Sequence, residues 1–302
     1  MVQVKNSANM LLSTVILNYK KSHLTIQCLE TLYKKYKEEF DRDQFEVIVV
    51  DNGSGKEELE LLKEKIKSSK YKNIKILTNS ENVGFSKGCN IGAREAKGKL
   101  LLFLNNDTLI KDSGISDMVS YMSDHPKVDI MGGKLTNSDT SDQASVGKFY
   151  TPLNAFLLLV GLQRFGFLGK NPTNISEVDW VKGGCLMVKN KVFVDLSGFD
   201  ENIFMYIEDM EFCYRARQKG YLVFFYPHVT IEHVDQGSSS RSFAIVNIYQ
   251  NLLYFYKKHR SRNEYLFLRT VLKAKAALLI AVGRIFNNSY LISTYEKAFK
   301  LA

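Results

Sequence analysis

Phe45-Glu46-Val47-Ile48-Val49-Val50 runs directly into Asp51-Asn52-Gly53-Ser54. Five β-forming residues around a single Glu, four of them aliphatic, read as a strand buried on both faces, and the Asp-Asn-Gly that follows ends it in a turn. A carboxylate just past such a strand is badly placed for a core. It is well placed for the crevice at the carboxyl ends of parallel strands, where open α/β sheets bind ligands. The pattern recurs downstream, where Leu100-Leu101-Leu102-Phe103-Leu104 precedes Asn105-Asn106-Asp107.

Around these two stretches the chain alternates strands with helices. Thr14–Leu17 is a short strand ending at Asn18-Tyr19. Leu24, Cys28, Leu32 and Tyr36 then recur every fourth residue, predicting an amphipathic helix over 23–36. A charged helix over 57–66, a strand over 74–77, a glycine-started helix over 84–96 and a strand near 128–131 continue the series. The order predicts an α/β fold with a mostly parallel central sheet flanked by helices. From Lys134 to Glu177 the periodicity fails, and a long irregular stretch reads as a binding loop or lid. Regular structure resumes at Trp180–Val188, a short helix from Asn190, a helix over 208–220 and a strand over 221–226. From Ser240 the chain reads as helical to its end, with a break near Ser261. Residues 1–239 are therefore expected to form the α/β domain and 240–302 a basic helical extension.

Charge is distributed unevenly. Of a net +9, the segment from Tyr254 onward carries +8, ten Lys and Arg against two Glu, so the rest is near neutral. No stretch reaches the roughly 18 apolar residues of a membrane span, and the N-terminus lacks a charged-then-apolar signal pattern. Cys28, Cys89, Cys185 and Cys213 show no C-x-x-C spacing and read as buried, reduced thiols. A cytoplasmic location, peripheral at the inner face of the plasma membrane, is the expectation.

Each motif has two readings. Asp51 either caps a turn or accepts a hydrogen bond from a nucleotide base. Asn82-Val83-Gly84-Phe85 opens a helix with glycines at 84, 88 and 92 on one face, allowing close approach of a neighbour or a ligand. Asn105, Asn106 and Asp107 offer hard oxygen donors suited to Mg²⁺ or Mn²⁺, or else form an Asx turn. Glu208-Asp209-Met210-Glu211 starts a helix, where acidic residues suit the dipole. The apolar approach Ile203–Ile207 would raise a carboxylate there toward a general base's range. His233 alone reads as structural.

Taken in order, these residues resemble family 2 glycosyltransferases of the GT-A fold, in their rhamnosyltransferase-like branch. Six landmarks carry the resemblance: Val50-Asp51-Asn52-Gly53-Ser54, Asn82-x-Gly84-Phe85, Leu104-Asn105-Asn106-Asp107, Trp180-x-x-Gly183-Gly184, Glu208-Asp209 with Arg215, Ala216, Gly220 and Tyr221, and His233-x-x-x-Gly237-Ser238. The resemblance implies nucleotide or donor contacts from Asn18, Tyr19, Asp51, Asn82, Gly84, Asn105 and Asn106. It implies a sugar pocket shaped by Trp180, Gly183 and Gly184, and Mg²⁺ or Mn²⁺ bound by Asp107 and His233. It also implies an inverting reaction with Asp209 as base and Glu208 positioning the acceptor. Asn105 stands where many members carry Asp, which implies a modest metal affinity. The family-weighted donor is dTDP-rhamnose, with UDP-hexoses as the alternative. The acceptor is a glycan or lipid-linked saccharide.

The basic extension lies outside the resemblance. Lys257, Lys258, Arg260, Arg262, Lys273 and Lys275 interleave with aromatics, so it is read as docking to an anionic membrane surface. A solvated face or a contact in a homo-oligomer is the competing reading. A nucleic-acid-binding module would leave Glu208-Asp209, Trp180 and His233 without a job, so no nucleic-acid partner is expected. A nucleotidyltransferase would need a richer glycine-and-basic loop after the first strand than Lys20-Lys21.

Overall fold

Aliphatic runs form the central strands here because those strands are covered on both faces. In the computed structural model, which describes residues 9–159, 170–234 and 240–302, Leu12–Asn18 (β1) is almost wholly buried. It is followed by helices Ser22–Lys35 (α1) and Lys37–Asp41 (α2), and by strand Phe45–Asp51 (β2), buried at every position. Lys56–Ser69 (α3), Ile74–Thr78 (β3), Phe85–Glu95 (α4) and Leu100–Asn105 (β4) complete the first half. The second half comprises Thr108–Ile110 (β5), Gly114–Asp124 (α5), Ile130–Thr136 (β6) and Val146–Gly147 (β7). After Pro152–Leu159 (α6) come Ser176–Glu177 (β8), Trp180–Val181 (β9), Cys185–Lys189 (β10), Asn190–Asp195 (α7), Glu208–Gln218 (α8) and Val223–His233 (β11).

Two compact units divide these residues. The first holds residues up to Gly147, then Asn171–Phe204 and Glu208 to the end of β11 and beyond; the second holds Lys148–Lys170, Met205–Ile207 and Ser239–Ala302.

The first unit is built on one sheet in the order β3-β2-β1-β4-β10-β6-β11-β5, with β8 beside β11 and β7-β9 as a separate pair. β3, β2, β1 and β4 are parallel, as the alternating pattern predicts. β10 then enters antiparallel to both β4 and β6, which makes the second half mixed. This reversal matters for the site. Pairing Cys185 with Leu104 sets the residues just before β10, Gly183 and Gly184, beside the carboxyl end of β4. β11 runs parallel to β6 and continues to His233, well past the expected end at Tyr226, because β6 on one side and β5 on the other pair with its last residues. His233 is thus the end of a strand; Gly237 and Ser238 lie outside the described residues.

Helix faces follow the apolar spacing. α1 buries Leu24, Cys28 and Leu32, with Tyr36 closing the row at its end. The glycines of α4 turn out to serve neighbours. A Cβ on Gly88 would stand 2.5 Å from Leu17 Cδ1, and one on Gly92 would stand 2.5 Å from Val15 Cγ1. The helix therefore lies close on β1, held there by missing side chains. A second apolar cluster joins Phe103, Phe193, Phe199 and Phe212, with ring centroids 4.8 to 5.4 Å apart between neighbours. All four cysteines are free and buried.

The second unit contains α6, Arg241–His259 (α9), Arg262–Ile285 (α10) and Ser289–Leu301 (α11). The expected break occurs at Ser261, which forms a capping box with Glu264. A second break, at 286–288, precedes the Asn288 cap of α11. Asn251 on α9 donates to the carbonyls of Met205 (2.8 Å) and Tyr206 (3.1 Å).

Candidate active site

The carboxyl ends of β1 and β2 are tied by side chains as well as by ladder bonds. Asn18 and Asp51 are register partners, both buried, and Asn18 Nδ2 donates to Asp51 Oδ1 at 2.8 Å. Ser54 N–H donates to Asp51 Oδ2 at 3.2 Å, so the carboxylate also closes its own turn. Thr25 Oγ1 donates to Asn18 Oδ1 at 2.7 Å and accepts from Asn106 Nδ2 at 3.1 Å. Asn18, Asp51 and Asn106 are thereby one connected polar network at the sheet's carboxyl edge. Tyr19 follows directly, half-buried.

Asn52 is the residue whose role the sequence hid. Buried at the turn, it donates to Asn82 Oδ1 (2.8 Å) and Gly84 O (3.1 Å), and accepts from Asn79 Nδ2 (2.9 Å) and Val83 N–H (3.2 Å). Every hydrogen-bonding position of its amide is used to fix the loop that starts α4. Gly84 itself has φ +88°, and a Cβ there would sit 2.6 Å from the Phe204 carbonyl oxygen. Asn82 and Gly84 therefore shape the backbone at this edge.

At the end of β4, Asn105, Asp107 and His233 converge. His233 Nε2 lies 3.2 Å from Asp107 Oδ1 and 3.2 Å from Asn105 Nδ2. The pairing of His233 with Thr108 across β11 and β5 creates this proximity. Gln143, from the segment with no periodicity, supplies what sequence reasoning missed. Its Nε2 donates to Asn137 Oδ1 (2.7 Å) and to the His233 carbonyl (3.0 Å), so its Oε1 is the acceptor facing His233 Nδ1 at 3.0 Å. Assigned from that network, the proton is on Nδ1 and Nε2 carries the lone pair in the neutral ring.

The donor set fits a divalent cation. Ligands about 2.1 Å from an octahedral ion sit roughly 3 Å apart in neighbouring positions, close to the Asp107–His233 separation. Among the described residues no group of three or more His, Cys, Asp and Glu is clustered for a metal. Asp107 and His233 are the candidate ligands among the described residues.

Asp209 occupies the first turn of α8. Its Oδ2 accepts the Gly183 N–H at 2.9 Å and its Oδ1 the Met210 N–H at 2.7 Å. Burial raises its carboxyl above the usual range, opposed by these N–H groups and the Lys182 charge. Gly184 O accepts from Asn105 N–H at 3.3 Å, so the Gly183-Gly184 pair bridges the β4 end to Asp209. Glu208, beside it, is buried. Glu211 is structural: wholly buried, it forms a two-pronged pair with Arg215 Nε at 2.9 Å, while the Arg215 guanidinium caps the Leu196 and Gly198 carbonyls. Just before α8, Tyr206 and Ile207 take φ of +72° and +75°, costly for a β-branched residue. Trp180 packs its ring over Gly147, where a Cβ would come within 2.3 Å of it.

A mixed sheet with this carboxyl-edge cluster defines a protein of the GT-A fold. The chain belongs to glycosyl transferase family 2, whose model matches residues 13–189. Among its relatives, the low-salt glycan biosynthesis hexosyltransferase Agl10 of Haloferax volcanii is 27% identical over 69% of this chain. The match spans 62% of Agl10's own length. The dTDP-rhamnosyl transferase RfbF of Shigella flexneri is 26% identical over 79% of this chain and 75% of its own. Among solved structures, GalNAc-T7 with UDP, GalNAc and Mn²⁺ superposes with a TM-score of 0.64 at 19% identity, over 98% of this chain and 56% of that one. The mannosyltransferase PcManGT from Pyrobaculum calidifontis, with GDP-Man and Mn²⁺, gives 0.60 at 14% identity, over 99% and 88%.

Proposed function

We propose that this protein is an inverting glycosyltransferase that moves a sugar from a nucleotide-sugar donor to a glycan or lipid-linked saccharide in surface polysaccharide synthesis. The observation that carries this reading is the Asp209 carboxylate, anchored on the Gly183 N–H and raised by burial toward a base's working range. In the reaction Asp209 takes the proton of an acceptor hydroxyl as its oxygen attacks the anomeric carbon. The bond from that carbon to the diphosphate oxygen breaks, and the nucleoside diphosphate leaves with the electron pair from the opposite face. Glu208 orients the acceptor.

Asp107 and His233 would hold Mg²⁺ or Mn²⁺, which would offset charge on the leaving diphosphate. Asn18, Tyr19, Asp51, Asn105 and Asn106 line the nucleotide side, with Asn82 and Gly84 setting its backbone; Trp180, Gly183 and Gly184 line the sugar side. The donor is dTDP-rhamnose in this reading, a choice supported by the rhamnosyl relative. A UDP-hexose is the second reading, supported by the hexosyltransferase relative. The acceptor is presented at the cytoplasmic face of a membrane.

Donor hydrolysis across a panel of nucleotide sugars with Mg²⁺ or Mn²⁺, wild type beside Asp107→Ala, tests this. Metal-dependent release of one nucleoside diphosphate, lost in the variant, is expected and names the donor. No release together with no nucleotide binding by calorimetry overturns the reading.

A further inference from the structure

α10 is 24 residues long, about 36 Å at 1.5 Å per residue, and carries apolar residues on two opposite faces. Leu268, Leu272, Ala276 and Gly283 are buried at a spacing of four and seven. On this row α10 meets α11 closely, since a Cβ on Gly283 would lie 2.9 Å from Ile292 Cγ1. The helix's opposite side, which the 3.6-residue period assigns to solvent, is also apolar. Phe267, Ala274, Leu278, Ala281 and Ile285 are exposed there, Leu278 at 63% and Ile285 at 75%, and Phe286, just past the helix end, is exposed at 75%. No acidic residue falls on this face. Isolated exposed apolar side chains are ordinary, but a row of them along about five turns is not.

We infer that this outward face of α10 lies on an anionic lipid surface, with Phe267, Leu278, Ile285 and Phe286 entering the headgroup boundary. Charge decides between occupants. From Tyr254 to the C-terminus the chain carries ten cationic residues and two Glu. Both Glu are engaged locally, Glu264 in the Ser261 cap and Glu296 with Arg284 at 3.7 Å. A second copy docked face to face across a twofold axis would oppose two segments of +8. Anionic headgroups would complement them, and Arg and Lys beside an apolar stripe can keep their heads in the polar layer while their stems lie along it. No helix among the described residues is long and apolar enough to cross a membrane, so α10 lies on the surface.

The inference rests on the reading of a membrane-borne acceptor, and the test separates the two. The full chain is floated with vesicles of phosphatidylcholine, with and without phosphatidylglycerol, at low and high salt, in the absence of donor and acceptor. Wild type is expected to float with the anionic vesicles and less so at high salt. Leu278→Glu combined with Ile285→Glu is expected to reduce binding at least roughly tenfold, while keeping wild-type helicity by circular dichroism and wild-type donor hydrolysis. Wild type staying unbound from anionic vesicles overturns the inference, as does equal flotation of the double variant. So does a wild-type dimer that the double variant converts to monomer without vesicle binding. Because donor hydrolysis is measured separately, loss of vesicle binding leaves the glycosyltransferase reading standing, and absence of hydrolysis leaves the lipid face standing.

Discussion

Gln143 holds His233 from two directions, its Oε1 3.0 Å from the ring Nδ1 and its Nε2 3.0 Å from the backbone carbonyl of the same residue. One amide therefore fixes both the ring's tautomer and the position of the strand end that carries it. Asp107 Oδ1 then faces Nε2 at 3.2 Å.

Gln143→Leu should accordingly weaken Mn²⁺ binding about 10- to 100-fold, the usual effect of losing the partner of a ligating imidazole. Titration followed by electron paramagnetic resonance measures it. Nitrogen NMR of His233 in the metal-free protein should show the Nδ1-protonated tautomer in wild type and a mixture in the variant. An unchanged affinity would mean the ring is held by the sheet alone.

Asp209 should set the acidic limb of the pH–rate profile. Burial raises its carboxyl, so the base form is lost as pH falls through a value above the ordinary carboxylate range. Activity should rise with pH across that value. Asp209→Asn should reduce kcat by at least about a hundredfold and leave nucleotide affinity near wild type by calorimetry.

Gly84→Ala should destabilise the fold more than Gly88→Ala. At Gly84 the backbone is left-handed and the new methyl would meet the Phe204 carbonyl, which cannot step aside. At Gly88 it would meet the end of the Leu17 side chain, which can rotate. About 2–4 kcal/mol against about 1–2 kcal/mol is expected from urea denaturation.

Arg215→Ala should cost about 3–5 kcal/mol, because it removes the guanidinium charge that faces the Glu211 carboxylate at 0% exposure. Arg215→Met with Glu211→Gln, which removes the charge together with its partner, should cost less. Thermal melts of the three proteins order them.

The thiols should be silent. Burial pushes Cys28, Cys185 and Cys213 up to about 12, and Cys89 well above its ordinary value. Reaction with a disulfide reagent at pH 8 should be negligible in the folded protein and reach all four sites in denaturant.

Much of the fold was legible because burial on both faces imposes a continuous apolar run, and a chain cannot hide such runs. β1, β2, β3 and β4 were read within a residue or two, and α1 from its fourfold spacing. The mixed half was not legible. Whether β10 runs with or against β4 depends on the path of the segment before it, and a strand's side-chain pattern is the same in either direction. β5 has three residues and no pattern of its own. β11 was read short, since its last residues are held in strand by pairing with β6 on one side and β5 on the other, partners distant in sequence.

Residue types and order were enough to nominate Asp51, Asp107 and Asp209, because carboxylates placed after buried strands or beside an apolar run have few structural reasons to be there; His233, which alone reads as structural, was nominated only through the family resemblance. Sequence alone also showed the separation of a near-neutral body from a strongly basic C-terminal segment, since net charge is additive along a chain. What tertiary structure alone decided is which atoms meet. Asn52 became a four-bond clamp, Glu211 a buried partner of Arg215, and Gln143 the support of His233 from 90 residues away. Hydrogen bonds act over about 3 Å, and no pattern along a chain encodes a distance between residues that only folding brings together.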